Sequence, residues 1–375
     1  MKEISLYVHI PFCDQKCFYC DFPSFAGKEQ LKENYVKALI KEINNKITKE
    51  YLINTIFIGG GTPSSLGCNE LEILLKEINK LNLSNNIEYT MECNPGNLTK
   101  EKLKIMKEYG VNRISMGLQA VQNTLLKSIG RIHNYDEFER NFKEARDFGF
   151  NNINVDLIFG LPNQSLENWK ESLERIIALN PEHISAYSLI IEEGTAFYKL
   201  YEEDKLKIPT EDIEREMYNL AKSKLLEAGY YQYEISNYSK IGLECRHNLA
   251  YWNMDSWIGV GSAASSYINN KRLTNTSVVE KYIEGINNDN PIMEEEIINS
   301  LEDNIEEFMF MGLRKIKGIS ISEFKRRFGK SIEDVYGPLL DKYENAKLII
   351  RDGDNLYLSS QGIEWSNQIM AEFLL

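Results

Sequence analysis

Three cysteines, Cys13, Cys17 and Cys20, stand four and three residues apart in YVHIPFCDQKCFYCDFPS, residues 7–24. Close thiols at such intervals suit a metal, and their number narrows which one. A structural zinc site is closed by four ligands, commonly in two pairs, and no second CxxC completes one here. A cubane iron–sulfur cluster held by three thiolates leaves one iron without a protein ligand, open to a small molecule. Three is then a working number.

Other residues able to do chemistry follow downstream. GGGTPS, Gly59 to Ser64, offers three residues without Cβ, so backbone can approach a ligand closely and donate hydrogen bonds. It lacks the Lys of a nucleotide P-loop. Glu92, Gln119 and Asp156 each end a strand-like run. Singly each reads as a cap or a solvated residue; together, behind a cysteine loop, they point to one pocket. Arg131, in IGRIHN, brings a planar fork that can pair with a carboxylate. His247, in CRHNLAYW, has Tyr251 and Trp252 four and five positions on, and by itself reads as a core histidine. Cys68 and Cys93 read as small buried hydrophobes, His183 as structural. His9 and His133 flank the proposed pocket, and Cys245 precedes His247 by two positions.

These side chains need elements to hold them. The first half alternates β-branched runs with amphipathic segments. ISLYVHI predicts a strand, LKENYVKALIKEINNKI a helix, NTIFIGGG a strand and NELEILLKEINKL a helix. The rhythm repeats through IEYTMECN and a helix capped by Thr99, RISMGLQ and helical pattern to Phe148, NINVDLIFG and SLENWKESLERIIAL, and closes with HISAYSLII. Six such units imply a parallel sheet covered by helices, with the site at the C-terminal strand ends as in barrels. An open, doubly wound sheet shares this rhythm. After Gly194 come a charged helical segment at 211–228, the aromatic strand pattern YYQYEISNYS, CRHNLAYW and the small-residue stretch GVGSAASSY. From Leu301, helices and a hairpin turning at Asp352-Gly353-Asp354 predict a small winged-helix unit that packs without touching DNA.

With 375 residues, 43% hydrophobic and 26% charged, the chain can bury one large core and a smaller second one. Its net charge of −13 argues against a phosphate-binding surface, so no nucleic-acid partner is expected. Met1 is not followed by a leader-like apolar stretch, and runs such as YSLII have only strand length, so membrane contact is at most peripheral. Six cysteines without a secretion signal fit a reducing compartment, the cytoplasm.

YVHIPFC, CFYCDF, GGGTPS, MGLQ, DLIFGLP and CRHNLAYW together resemble the radical S-adenosylmethionine superfamily, specifically its coproporphyrinogen III dehydrogenase-like branch and, within it, the heme chaperones. The likeness spans nearly the whole chain. It implies an α/β fold: a partial (β/α)6 TIM-like barrel over 1–200, an α/β extension with the heme motif over 201–295, and a winged-helix-like unit over 296–375. By position it implies a 4Fe–4S cluster on Cys13, Cys17 and Cys20, with S-adenosylmethionine on the open iron. The cofactor pocket is then Tyr7, Tyr19, Gly60, Gly61, Thr62, Glu92, Gln119, Arg131 and Asp156, with the Tyr19 ring near the adenine. Heme falls to His247, Tyr251 and Trp252, with acceptor apo-hemoproteins as partners. Because heme must be released, an exposed and moderately held site is expected. The alternative is an oxygen-independent coproporphyrinogen III dehydrogenase, which decarboxylates propionate side chains by radical chemistry. That branch carries another cysteine two residues after the third ligand, where this chain has Phe22, and a longer segment before its loop, where Cys13 follows only twelve residues. Both differences favour the chaperone.

Overall fold

A computed structural model describes all 375 residues. Six strands, β1 (Lys2–Ile10), β2 (Tyr51–Gly60), β3 (Leu83–Cys93), β4 (Arg113–Gln119), β5 (Ile153–Phe159) and β6 (His183–Ser188), lie side by side in chain order. Each is parallel to the next. Parallel neighbours need crossovers, and helices make them: α1 (Lys32–Lys46), α2 (Cys68–Ile78), α3 (Lys100–Glu108), α4 (Asn123–Ser128) with α5 (Tyr135–Asp147), and α6 (Leu166–Leu179). The alternation along β1 shows how the layers form. Ile4, Leu6, Val8 and Ile10 enter the apolar core beneath the helices, and the intervening Ser5, Tyr7 and His9 make polar contacts on the other face.

Two sequence expectations shift here. The single helical pattern expected up to Phe148 is two helices, because Gly130 turns the chain at φ +78° and places Arg131 in the break. The run HISAYSLII is strand only to Ser188, since its partner β5 ends opposite, with Phe159 registered on Ser188.

β1 and β6 do not pair, so the parallel run stays open. Beyond β6 the chain forms α7 (Ala196–Glu202), α8 (Glu211–Glu227), β7 (Tyr231–Gln232), β8 (Asn237–Ser239), α9 (Arg246–Trp252) and β9 (Trp257–Val260). β8 adds antiparallel to β6, and β9 adds parallel to β1. The aromatic run around 230–239 is thus a tight reversal and not one strand; the buried Glu234 carboxylate accepts the Ser236 N–H at 2.8 Å within the turn. α9 lies on the path between the two edges of the open barrel. From β9 the sheet continues antiparallel through β10 (Ser265–Ile268) and β11 (Lys271–Asn275), then, after α10 (Val279–Asn287), to β12 (Met293–Ile298).

The C-terminal residues form α11 (Leu301–Gly312), β13 (Ile319–Ser320), α12 (Ile321–Phe328), α13 (Ile332–Asn345), β14 (Ile349–Asp352) and β15 (Asn355–Leu358), followed by two short helices. Three helices and a three-stranded sheet give the winged-helix arrangement. Its hairpin turns on Gly353, at φ +58°, and Asp354. A second core gathers Phe308 and Phe324 with Met254, Trp257 and Tyr267, while Met217 and Leu225 of α8 join the first. The stretch 201–295 therefore feeds both cores. No helix is long and apolar enough to cross a membrane.

Candidate functional site

The cysteine loop leaves the C-terminal end of β1 and is closed at its base. Cys13 N–H donates to Phe25 O at 3.0 Å and Phe25 N–H to Pro11 O at 2.8 Å. Across the gap, Phe18 N–H donates to Ile129 O at 3.1 Å and Gln15 Nε2 to Gly130 O at 2.9 Å, pinning the loop to the break between α4 and α5. Cys13, Cys17 and Cys20 line one cavity of about 320 Å³ at the strand ends. No three His, Cys, Asp or Glu groups come close enough to hold a single metal ion. The thiols instead surround a space, as suits a polynuclear centre whose irons take one thiolate each. Their surroundings act on the thiolate form in both directions. Burial raises the Cys13 and Cys20 thiols, opposed by hydrogen bonds from Thr62 and Ser24 at Cys13 and from the Phe22 backbone at Cys20. The donor set fits an iron–sulfur cluster.

Tyr19, Gly60, Gly61, Thr62, Glu92, Gln119, Arg131 and Asp156 line the same cavity. Tyr7 does not. Its hydroxyl is 3.0 Å from His9 Nδ1, and the other ring nitrogen of His9 meets Pro23 O at 2.9 Å, just beyond the cysteine loop. The glycines turn out to serve the loop as much as any ligand. A Cβ on Gly61 would lie 2.8 Å from Phe12 O and 3.0 Å from Cys13 Sγ, and one on Gly60, at φ +113°, would strike the His9 ring. Gly60 N–H donates to Glu92 Oε2 at 3.1 Å.

Glu92 and Asp156 face one another's fields in this buried setting. Burial first and Asp156 second push Glu92 up to about 8, against the Gly60 hydrogen bond and the Arg113 guanidinium. Burial raises Asp156 too, opposed by hydrogen bonds from Ser185, Asn154 and Ser115. Two buried carboxyl groups whose ionisation is opposed make a pocket suited to a cationic ligand, which favours their charged forms. Arg131 was expected to clasp a carboxylate. Within the protein it has none: its nitrogens donate to Asn94 Oδ1 at 2.8 Å and to Gly117 O, and approach Cys17 Sγ at 3.6 Å. Its hydrogen-bonded oxygens are neutral, so the guanidinium has no paired carboxylate and is available to one on a ligand or to thiolates. The cavity can thus take an ammonium or sulfonium beside the acids and a carboxylate beside the guanidinium.

Sequence reasoning missed Asn94, Ser115, Gly117 and Tyr187, which also line the cavity. Ser115 and Gly117 were accessible through period-two alternation in RISMGLQ, and Asn94 two places beyond Glu92. Cys93, expected as a buried hydrophobe, is buried and also touches the cavity, whereas Cys68 starts α2 away from it. His133 lies beside Arg131 but not in the wall; burial and that charge push it down to about 3.

The residues expected to take heme lie elsewhere. His247 is only 1% exposed, against the expectation of an open site. Its Nδ1 meets Thr55 Oγ1 at 2.8 Å and its Nε2 meets Tyr251 Oη at 2.9 Å, so side chains satisfy both nitrogens. Burial, aided by Arg113, pushes it down to about 3, so the ring is neutral. The reason is the path of α9, whose first residues are drawn inward by Glu88 of β3. Trp252 turns the other way, with the Arg314 guanidinium 4.5 Å over its ring. Cys245 is fully buried, 3.6 Å from Glu88. His183 is structural, held between Asn154 and Tyr233.

The Radical SAM superfamily model matches residues 7–176, and the HemN C-terminal domain model matches residues 293–365. The heme chaperone HemW of Bacillus subtilis is 40% identical over 99% of both chains. HemW of Lactococcus lactis is 39% identical, covering 100% of this chain and 98% of its own, and that of Escherichia coli is 34% identical, covering 100% and 99%. Among solved structures, coproporphyrinogen III oxidase (HemN) from Escherichia coli, a radical SAM enzyme, superposes with a TM-score of 0.87 at 21% identity, over 100% of this chain and 90% of its own. At that identity the match speaks for the fold alone. The chain belongs to the HemW family of the radical SAM superfamily, a membership that implies a 4Fe–4S cluster and S-adenosylmethionine.

Proposed function

We propose that the protein is a heme chaperone that carries heme to acceptor apo-hemoproteins in the cytoplasm, with Cys13, Cys17 and Cys20 as ligands of its cluster. The observation that carries the reading is full-length identity to heme chaperones in a chain whose three thiols ring a cavity walled by Glu92, Asp156 and Arg131. A bound cluster supplies one-electron chemistry to the cofactor sulfonium. This chain's residues bind and orient: Glu92 and Asp156 face the cationic parts of S-adenosylmethionine, Arg131 its carboxylate, and Tyr19 offers a ring to the adenine.

Heme is taken through His247, in the segment that also carries Tyr251 and Trp252. In the closed arrangement both imidazole nitrogens are occupied, so uptake requires the Thr55 or the Tyr251 bond to give way. A carrier that must also release heme gains from such a competing internal partner, because it lowers the net affinity. The test is anaerobic reconstitution, heme addition and gel filtration, with a coproporphyrinogen assay alongside. Stoichiometric heme co-eluting with the protein, transferable to an apo-hemoprotein, is expected. Protoporphyrinogen formation without stable heme uptake would replace this reading with the dehydrogenase.

A further inference from the structure

A hydrogen-bonded circuit joins two of the three loop thiols. Arg131 Nη2 donates to Asn94 Oδ1 at 2.8 Å, Asn94 Nδ2 donates to Thr62 Oγ1 at 2.9 Å, and Thr62 Oγ1 lies 3.5 Å from Cys13 Sγ. At the other end Arg131 Nη1 lies 3.6 Å from Cys17 Sγ. Donor chemistry gives the circuit a single direction. Arginine has only donors, so it faces the amide oxygen of Asn94. That turns the Asn94 NH₂ toward Thr62, whose oxygen therefore accepts. The Thr62 hydroxyl hydrogen is left over, and Cys13 Sγ is the acceptor it meets. A metal-bound thiolate accepts and never donates, so loading the site reinforces the same direction.

We propose that Asn94 is a positioning residue for the iron–sulfur centre: by accepting from Arg131 and donating to Thr62, it aims the Thr62 hydroxyl at Cys13 and so sets the reduction potential. The inference rests on the reading of Cys13 and Cys17 as cluster ligands. Hydrogen bonds to cluster sulfurs stabilise the more negative, reduced state and raise the potential. Asn94 exerts this effect through Thr62, which makes it the residue that decides whether the hydroxyl hydrogen reaches sulfur.

Asn94→Asp discriminates. It is nearly isosteric and keeps Arg131 satisfied, yet the oxygen replacing Nδ2 accepts from Thr62 and draws its hydrogen away from Cys13. Thr62→Val removes the donor outright. Potentials are read on the reconstituted full-length protein from the electron paramagnetic resonance of the reduced cluster, in a double-mutant cycle. Both single variants are expected to assemble the cluster and to lower the reduced-to-oxidised ratio at fixed potential about tenfold, about 59 mV for one electron. Asn94→Asp should shift the potential less in the Thr62→Val background than in the parent, because only its added charge then acts. An equal shift in both backgrounds, or none, overturns the role of Asn94 and leaves the ligand assignment standing. Failure of Asn94→Asp to assemble a cluster that the parent assembles also overturns it, making Asn94 an assembly element. A parent protein that holds no cluster overturns the ligand reading, and the inference with it.

Discussion

Glu88 Oε1 accepts the backbone N–H of His247 at 2.9 Å, so a side chain of β3 holds the first turn of α9 inside the barrel. Its second oxygen accepts the Arg246 N–H, also at 2.9 Å. Helix N-termini carry unpaired N–H groups and a positive dipole end, and a carboxylate answers both. The seal on His247 is therefore built from two sides, by Glu88 at its backbone and by Thr55 and Tyr251 at its ring.

Removing that anchor should loosen the segment. Glu88→Ala leaves the buried His247 N–H and the partly buried Arg246 N–H without their partner, at roughly 1–3 kcal/mol each. A loss of about 2–6 kcal/mol of stability in urea denaturation is expected, with the cluster spectrum retained because the cysteine loop is anchored elsewhere. Heme uptake, followed by absorbance after mixing, should be faster than in the parent. Unchanged uptake in a demonstrably loosened variant would mean that the closed α9 is no barrier to heme.

The raised Glu92 carboxyl has a signature in stability. Its folded value is about 8 against an ordinary 4.5, so in this window the native state holds a proton that the unfolded chain has released. Stability then falls as pH rises from 4.5 to about 8 and levels off above, with a slope of up to ~1.4 kcal/mol per pH unit. Glu92→Gln, neutral throughout, should flatten this slope in urea denaturation of the ligand-free protein. A cationic ligand favours the ionised carboxylate, so S-adenosylmethionine should bind more tightly as pH rises toward about 8, releasing a proton. Calorimetry in buffers of different ionisation enthalpy detects that proton, and its absence would remove Glu92 from the cationic part of the pocket.

What the sequence made legible follows the range of the interactions. The cysteine spacing is local, and strand alternation with helix periodicity is nearly so; the six parallel strands and the winged-helix unit were readable from them. The role of Glu88 was not, because its partner His247 is 159 positions away. Asn94 joins Arg131, 37 positions on, to Thr62, 32 positions back, so the two-residue step from Glu92 reaches its place in the wall but not its partners. His247 illustrates the opposite error. The need to release heme suggested an open site, with the aromatic neighbours flanking it, but those rings sit on a short helix whose two sides meet different surroundings, Tyr251 against His247 and Trp252 against Arg314.

Gly61 gives a prediction that its sequence context alone would misdirect. From the motif, Gly61→Val is expected to weaken cofactor binding without loss of fold. The added Cβ would meet Phe12 O at 2.8 Å and Cys13 Sγ at 3.0 Å, both in the cysteine loop, before any ligand enters. The variant should therefore lose cluster loading, read as iron and sulfide content after anaerobic reconstitution, along with cofactor affinity. Full iron content with weakened S-adenosylmethionine binding would restore the simpler view of a ligand clash.

The last prediction separates the two metal-related segments. Cys13→Ala, Cys17→Ala and Cys20→Ala should each abolish stable cluster loading, because the loop supplies no spare thiolate, whereas Cys68→Ala, away from the cavity, should load normally. His247→Ala should do the reverse, retaining the iron–sulfur spectrum and losing most stoichiometric heme uptake. Its interpretation needs one control. The imidazole partners Tyr251 and Thr55, and while Thr55 Oγ1 keeps Ser5 Oγ at 2.8 Å, Tyr251 loses its only hydrogen-bond partner. Truncation should cost about 1–3 kcal/mol through that orphaned hydroxyl. Adding Tyr251→Phe removes the hydroxyl as well and should recover part of this loss. If heme uptake recovers along with stability in the double variant, the defect lay in folding and His247 is not the heme residue; if stability returns and uptake does not, the imidazole itself takes heme.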